Sequence, residues 1–246
     1  MSKIVIFGAG GRAGRHVVAE AVARGHHVTA VVRDPAKHRE LLRLHPATEG
    51  DPAEGGSLRV DGERGGGRAM PGVGGVRLVA GDVTDAGSVA AAAAGHDAVI
   101  SVAARLDVPS VDFYVAAAHA LLDGLARAGV GRLVLAGIGT TLEAAPGVMV
   151  HDTPGFPPDA RAFSLGHAAE LEVLRDADTG VDWLVLAPPP VFLDDAPRTG
   201  RYRIGGGQVL PSSGDTPFPY ADLAVALIDE VETPAHHRTL AAVAGP

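Results

Sequence analysis

A β-favouring run, Lys3 to Phe7 (KIVIF), passes directly into Gly8-Ala9-Gly10-Gly11-Arg12-Ala13-Gly14, and an alanine- and valine-rich stretch with helical spacing follows. Strand, glycine turn and helix in that order leave few folds open. Two spacings fit the turn. Gly8, Gly10 and Ala13 satisfy G-x-G-x-x-A, whereas Gly8, Gly11 and Gly14 satisfy G-x-x-G-x-x-G. In either one the first glycine permits the tight turn, the next lets a diphosphate approach the backbone, and the last small residue lets the helix pack close to the sheet. Unbonded amides at the helix start then face the anion. The turn therefore predicts a dinucleotide site built on Gly8, Gly10, Gly11, Arg12, Ala13 and Gly14.

Apolar strand-like runs and helix-like segments alternate along the rest of the chain. The pattern predicts helices over residues 16–24, 35–44, 86–94, 111–128, 160–177 and 220–230. It predicts strands over 3–7, 27–32, 76–80, 98–102, 132–136, 183–187 and 239–243, with a short hairpin at 202–210 around Gly205-Gly206-Gly207. Nearly continuous apolar strands separated by helices imply a parallel sheet covered on both faces. Right-handed crossovers make it doubly wound, so the fold class is α/β of Rossmann type, one domain over 1–246. Residues 46–75, rich in glycine, proline and charge, read as a flexible insertion or a lid over the site. Residues 188–246 read as a C-terminal segment on the substrate side.

The tip of the second strand selects the cofactor in such folds, and here it reads Val31-Val32-Arg33-Asp34-Pro35. Arg33, with Arg12 from the glycine turn, matches an adenosine 2′-phosphate in charge and in bidentate geometry. NADP is the expected cofactor. NAD is possible if Asp34 faces the ribose, and Asp34 reads equally well as a helix N-cap. After the third strand Asp82 and Val83 stand where an adenine ring would lie. Ser101, Val102 and Ala103 close the fourth strand beside the ribose and diphosphate.

Composition narrows the alternatives. The formal net charge is −8 and aromatic residues make up 4%, which disfavours polyanions and base-stacking platforms, so no nucleic-acid partner is expected. No apolar run is long enough to span a bilayer, and the first residues lack the pattern of a signal peptide. With no cysteine among 246 residues, disulfides, thiolate metal sites and a cysteine nucleophile are excluded. The 11 histidines offer no metal-binding spacing, so no metal is expected. A small-molecule substrate, a cytoplasmic location and a monomer or homodimer are expected.

The segments GAGGRAG, RGHHVTAVVRDPAK, GDVTD and DAVIS resemble the atypical short-chain dehydrogenase/reductase superfamily. HDTPGFP, GHAAELEVLR, APPPVF and TGRYRIGG narrow the resemblance to the NAD(P)H-binding NADH-flavin reductase group, related to NmrA-like proteins and biliverdin reductase B. The resemblance implies a cofactor at the carboxyl ends of the strands. It implies a substrate between the last strands and the C-terminal segment, near Phe156, Pro190 and Phe192.

That superfamily's dehydrogenases use Tyr-x-x-x-Lys on the helix after the fifth strand, where this chain has Phe163 and His167. Phenylalanine exchanges no proton, so the usual acid is missing. Hydride transfer to a flavin or a conjugated acceptor needs no such acid, because the cofactor carries the chemistry. Thr140 follows the fifth strand, where the family places a catalytic serine or threonine, and is the candidate to bond a substrate carbonyl. His151 is a candidate general acid, its residue type titrating in the neutral range. His167 stands in the lysine position as a candidate donor to the nicotinamide ribose. The expected function is an NADPH-dependent reductase of a small conjugated or aromatic molecule. A non-redox isomerase, cyclase or lyase on the same fold, and a silent NADP-sensing protein, are the alternatives.

Overall fold

The computed structural model describes residues 1–44, 75–191, 193–211 and 218–246. The expected insertion at 46–75, apart from Gly75, and the candidate residue Phe192 lie outside the described residues.

The alternation read from the sequence is present. Strands β1 (Lys3–Phe7), β2 (His27–Val32), β3 (Val76–Ala80), β4 (Ala98–Ser101), β5 (Arg132–Ala136) and β8 (Asp182–Ala187) are joined by helices α1 (Arg12–Ala23), α2 (Ala86–Ala93), α3 (Ser110–Ala128) and α4 (Pro158–Asp176). A small hairpin, β6 (Glu143–Ala145) with β7 (Val148–Met149), interrupts the route from β5 to α4. The chain ends with β9 (Arg203–Ile204), α5 (Tyr220–Glu232) and β10 (Thr239–Ala244). The main sheet runs β3-β2-β1-β4-β5-β8-β10-β9, parallel throughout except for the final antiparallel pair. This is the Rossmann-like α/β architecture expected, and its strand order reverses direction between β1 and β4, the place where such sheets bind ligands.

Each face of the sheet has its own core. Helices α1 and α5 pack together over one face, with Ile4, Ile6, Val18, Ile100, Leu184 and Leu227 buried beneath them. Helices α2, α3 and α4 cover the other, over Val5, Phe7, Val99, Leu121, Leu133 and Trp183. Successive strand residues point to opposite faces, so β1 feeds both cores, which is why residues 4–7 read as continuously apolar. Buried charge also ties elements together. Arg24 and Arg198 both bond the carboxylate of Glu20 on α1, each at 2.8 Å. On the other side of the sheet's edge Arg132 bridges Asp182 at 2.8 Å and Glu230 at 3.0 Å.

Three expectations are corrected. The helix over 35–44 is two 3₁₀ turns, Pro35–Lys37 and Arg39–Arg43. They meet at His38, which leaves the helical region (φ −131°, ψ 28°). The hairpin over 202–210 does not close on itself. Arg203–Ile204 joins the edge of β10, while Gly207 and Val209 exchange backbone bonds with Glu143, both at 2.9 Å. Unpaired backbone on two neighbours competes successfully with the local turn. The first helix begins at Arg12 and not at His16, because Gly11 serves as its N-cap and Gly14 is accepted inside its first turn.

Candidate functional site

A cleft of about 480 Å³ opens at the carboxyl ends of β1 and β4. Its floor is the glycine turn. Gly8 has φ +76°, and a Cβ there would lie 2.6 Å from the Cα of Ala103 at the exit of β4. A Cβ on Gly14 would come within 2.1 Å of the Gly8 carbonyl oxygen, so α1 can sit this close to the turn only with glycine at that place. Gly11 caps α1 without any side-chain bond, which leaves the first amides of the helix unbonded and open to an anion. A Cβ on Gly10 would overlap the His38 imidazole at 2.4 Å. Gly8, Gly11 and Gly14 thus serve the turn, the helix cap and the close packing, while Gly10 makes room for a side chain of this chain. Gly8, Gly10, Gly11, Arg12 and Ala13 all line the cleft.

The β2 side of the cleft is cationic. Arg12, Arg33 and Arg105 line it, together with His38, Asp82 and Val83. Burial pushes the Asp82 carboxyl up, but the Thr84 amide and hydroxyl, at 2.9 and 2.7 Å, outweigh it. Aided by the charges of Arg105 and Arg33, they hold Asp82 below the usual range. Arg105 donates to Asp107 at 2.9 Å, and that bond lowers the Asp107 carboxyl to about 2. Asp34 turns away: its carboxylate accepts the Ala36 amide at 3.1 Å and pairs with Lys37 at 3.4 Å. Val102 and Ala103 line the cleft, whereas Ser101 is buried at the end of β4 and is not part of the lining.

The remaining candidates gather beyond β5. Thr140 lies in a 3₁₀ turn, Gly139–Thr141, directly after that strand. Its hydroxyl is 2.7 Å from that of Ser164, which donates to the Ala160 carbonyl of α4 at 2.8 Å. The buried His151 donates through Nδ1 to the Thr140 carbonyl at 2.7 Å, and its Nε2 is 3.6 Å from Asp152. The Asp152 carboxyl is held below its usual range by its bond to Arg161. A Cβ on Gly139 would meet the Pro188 carbonyl at 2.4 Å, so the Thr140 turn leans on the Pro188-Pro189-Pro190 exit from β8. Pro190 is exposed there, and Phe156 is half-buried in the loop before α4.

His167 is placed differently from the expectation. It is buried between α3 and α4, its ring 3.8 Å from that of Tyr114 and 5.3 Å from that of Phe163, and it does not line the cleft. Its Nδ1 lies 3.4 Å from the Glu170 carboxylate. Phe163 packs edge-on against Tyr114 at 5.9 Å. Phe163, His167 and Tyr114 thus form one aromatic cluster between α3 and α4.

The chain matches a family described as NAD(P)H-binding over residues 8–59 and 68–234. This chain belongs to the NAD(P)H-binding family. Within it the chain is 30% identical over 238 residues to YwnB of Bacillus subtilis (strain 168), covering 95% of this chain and 94% of the relative. The crystal structure of a candidate exported protein of Burkholderia pseudomallei is 32% identical, with TM-score 0.76 over 99% of both chains. SP1627 of Streptococcus pneumoniae, a candidate NADH-flavin reductase, shares the fold with TM-score 0.74 and 24% identity over 100% of both chains. The resemblance to the atypical short-chain dehydrogenase/reductase superfamily is borne out.

Two residues of the site, His38 and Ser164, were not singled out from the sequence. His38 lines the cleft from the junction of two 3₁₀ turns, whose path only the fold sets, while Arg105 ends the stretch after β4 that reads as the ribose and diphosphate side. Ser164 partners Thr140 across 24 residues of sequence. Tyr220, which reads as a buried anchor at a helix start or a proton donor, opens α5, lines the cleft and stacks on His16 at 5.9 Å. Among the described residues no helix is long and apolar enough to cross a membrane.

Proposed function

We propose that this chain is an NADPH-dependent reductase that passes a hydride to a small conjugated or aromatic acceptor of flavin or quinone type. One observation carries the reading: Arg33 and Arg12 line the cleft at the tip of β2 while Asp34 is engaged as the cap of its own turn. A carboxylate facing the ribose would favour NAD; guanidinium groups without a carboxylate partner favour the 2′-phosphate. Cofactor preference therefore follows from side chains one residue apart.

The chain's residues divide the work. Gly8, Gly11 and the open amides of α1 receive the pyrophosphate, and Val83 with Val102 and Ala103 walls the adenosine half. The bound nicotinamide supplies the hydride. Thr140 orients the acceptor: its hydroxyl donates to Ser164, whose own proton goes to the Ala160 carbonyl, so it offers the acceptor an oxygen lone pair for an N–H or O–H and no proton for a carbonyl. The acceptor's proton comes from solvent or through Nε2 of His151, the Nδ1 proton being committed to the Thr140 carbonyl. Phe156 and the Pro188-Pro189-Pro190 exit from β8 border the acceptor.

The absence of a phenol at position 163 favours acceptors that need no strong acid, and it also favours a second reading, isomerisation or elimination without net redox change. Loss of NADPH absorbance on adding flavins or quinones supports the reductase. NADPH binding without oxidation by any such acceptor would transfer support to the second reading.

A further inference from the structure

His38 is the cleft residue that the glycine turn has been shaped around. Its ring occupies the space over Gly10 that any Cβ would fill, with ring atoms at 2.4 to 2.6 Å from that position. It reaches the cleft from the turn that follows Arg33, and its Nδ1 is buried and, among the described residues, has no hydrogen-bond partner. Such an atom in a polar cleft is costly unless a ligand or a proton satisfies it.

The charges around the ring are specific. On its own turns, Glu40 lies 3.7 Å from Nδ1, and Lys37 is already paired with Asp34. From α1, Arg15 pairs with Glu40 at 3.0 Å and donates to the Gly10 carbonyl at 3.2 Å. Arg12 and Arg33 share the cleft, and among the described residues neither makes an ion pair. Arg105 is paired with Asp107, and Asp82 is held by Thr84. Glu40 thus faces the imidazole with part of its charge already offset by Arg15, while an incoming phosphate would meet Arg12, Arg33 and His38 together.

We propose that His38 is a specificity-determining residue for the phosphorylated dinucleotide, its imidazolium joining Arg33 at the 2′-phosphate so that discrimination between NADPH and NADH steepens as pH falls through the imidazole range. The inference rests on the NADPH reading above and adds a pH dependence to it. Imidazole is the side chain that changes charge between about pH 5 and 8. A charge-assisted bond to phosphate is stronger than a neutral one.

The test is calorimetric titration of the protein with NADPH and NADH at fixed ionic strength, from about pH 5.5 to about pH 8.5, spanning the imidazole range. The 2′-phosphate itself gains a proton near pH 6, so wild type is compared with His38→Gln, which keeps a donor and loses the titration. Wild type should gain about fivefold more NADPH-over-NADH preference at the acid end than His38→Gln, the size of a partly exposed charge-assisted bond. Gly10→Ala, which displaces the ring while leaving His38 in the chain, should lose the same increment. Identical pH profiles for wild type and His38→Gln overturn the inference and leave the NADPH reading intact. No NADPH preference in wild type at any pH overturns both. Thermal melting of each variant confirms that the titrated material is folded.

Discussion

The Thr140 and Ser164 hydroxyls lie 2.7 Å apart, joining the turn after β5 to the first half of α4. Ser164 is anchored in turn on the Ala160 carbonyl, and the Thr140 carbonyl accepts from buried His151. One threonine is therefore held at its backbone and at its side chain by two different elements, which fixes the direction in which its hydroxyl can meet a ligand.

Removing that hydroxyl separates its roles. Thr140→Val should cost about 1 kcal/mol of stability, the worth of one partly buried hydrogen bond. It should also lower kcat/KM for the acceptor about tenfold, as expected for a lost orienting contact. Thr140→Ser should recover most of both. Steady-state kinetics with urea unfolding on the same preparations decides; an unchanged kcat/KM in the valine variant removes Thr140 from the acceptor site.

Gly14 tests the packing of α1 on the turn. A methyl at that position would meet the Gly8 carbonyl at 2.1 Å, so Gly14→Ala should destabilise by roughly 1–3 kcal/mol or more through forced backbone shifts. It should abolish cofactor binding. Gly131→Ala, with nothing within 4 Å of the added carbon, should leave the unfolding midpoint nearly unchanged. Equal midpoints for the two variants would show that the turn yields more easily than its geometry implies.

Arg33 and Asp34 make opposite predictions although they are adjacent. Arg33→Ala should weaken NADPH about tenfold to a hundredfold, by loss of a charge-assisted pair to phosphate, and leave NADH nearly unchanged. Asp34→Ala should leave the NADPH-to-NADH ratio intact and cost about 0.5–2 kcal/mol through the lost cap. A ratio that moves with Asp34 and not with Arg33 would reassign the tip of β2 to the ribose of NAD.

Acid stability should report on Glu20. Burial raises its carboxyl pKa, but the bonds from Arg198 and Arg24 outweigh it and leave it below the usual value. A carboxylate lowered in the folded state contributes stability above its unfolded pKa of about 4.3, and that contribution is lost as pH falls through the folded pKa. Glu20→Gln should cost about 1–3 kcal/mol at neutral pH, and the gap to wild type should close as pH drops below about 4. Guanidinium unfolding at neutral and acid pH measures it; a pH-independent gap would assign the effect to packing alone.

The order of strands, the helices between them and the dinucleotide turn were legible in the sequence because local patterns produce them. Apolar runs set strands, glycine at a strand exit sets a turn, and parallel connectivity forces crossovers of one hand. Asp34 was legible as a cap for the same reason, its partner Ala36 being two residues away. The two glycine spacings could not be separated locally. The choice depends on His38, which lies 28 positions further on and returns to cover Gly10.

What the sequence determined by itself was the sheet, its switch point and the glycine-capped start of α1, since each needs only neighbours along the chain. Tertiary structure decided which side chains reach the cleft. Arg105 from the segment after β4, His38 from between two 3₁₀ turns and Tyr220 from the start of α5 meet at one cleft, Ser164 meets Thr140 only after α4 folds back along the sheet, and His167 is drawn into the interface of α3 and α4 by the rings of Tyr114 and Phe163. Those arrangements follow from the packing of distant segments, where burial of apolar surface selects one placement, and no short-range pattern encodes that selection.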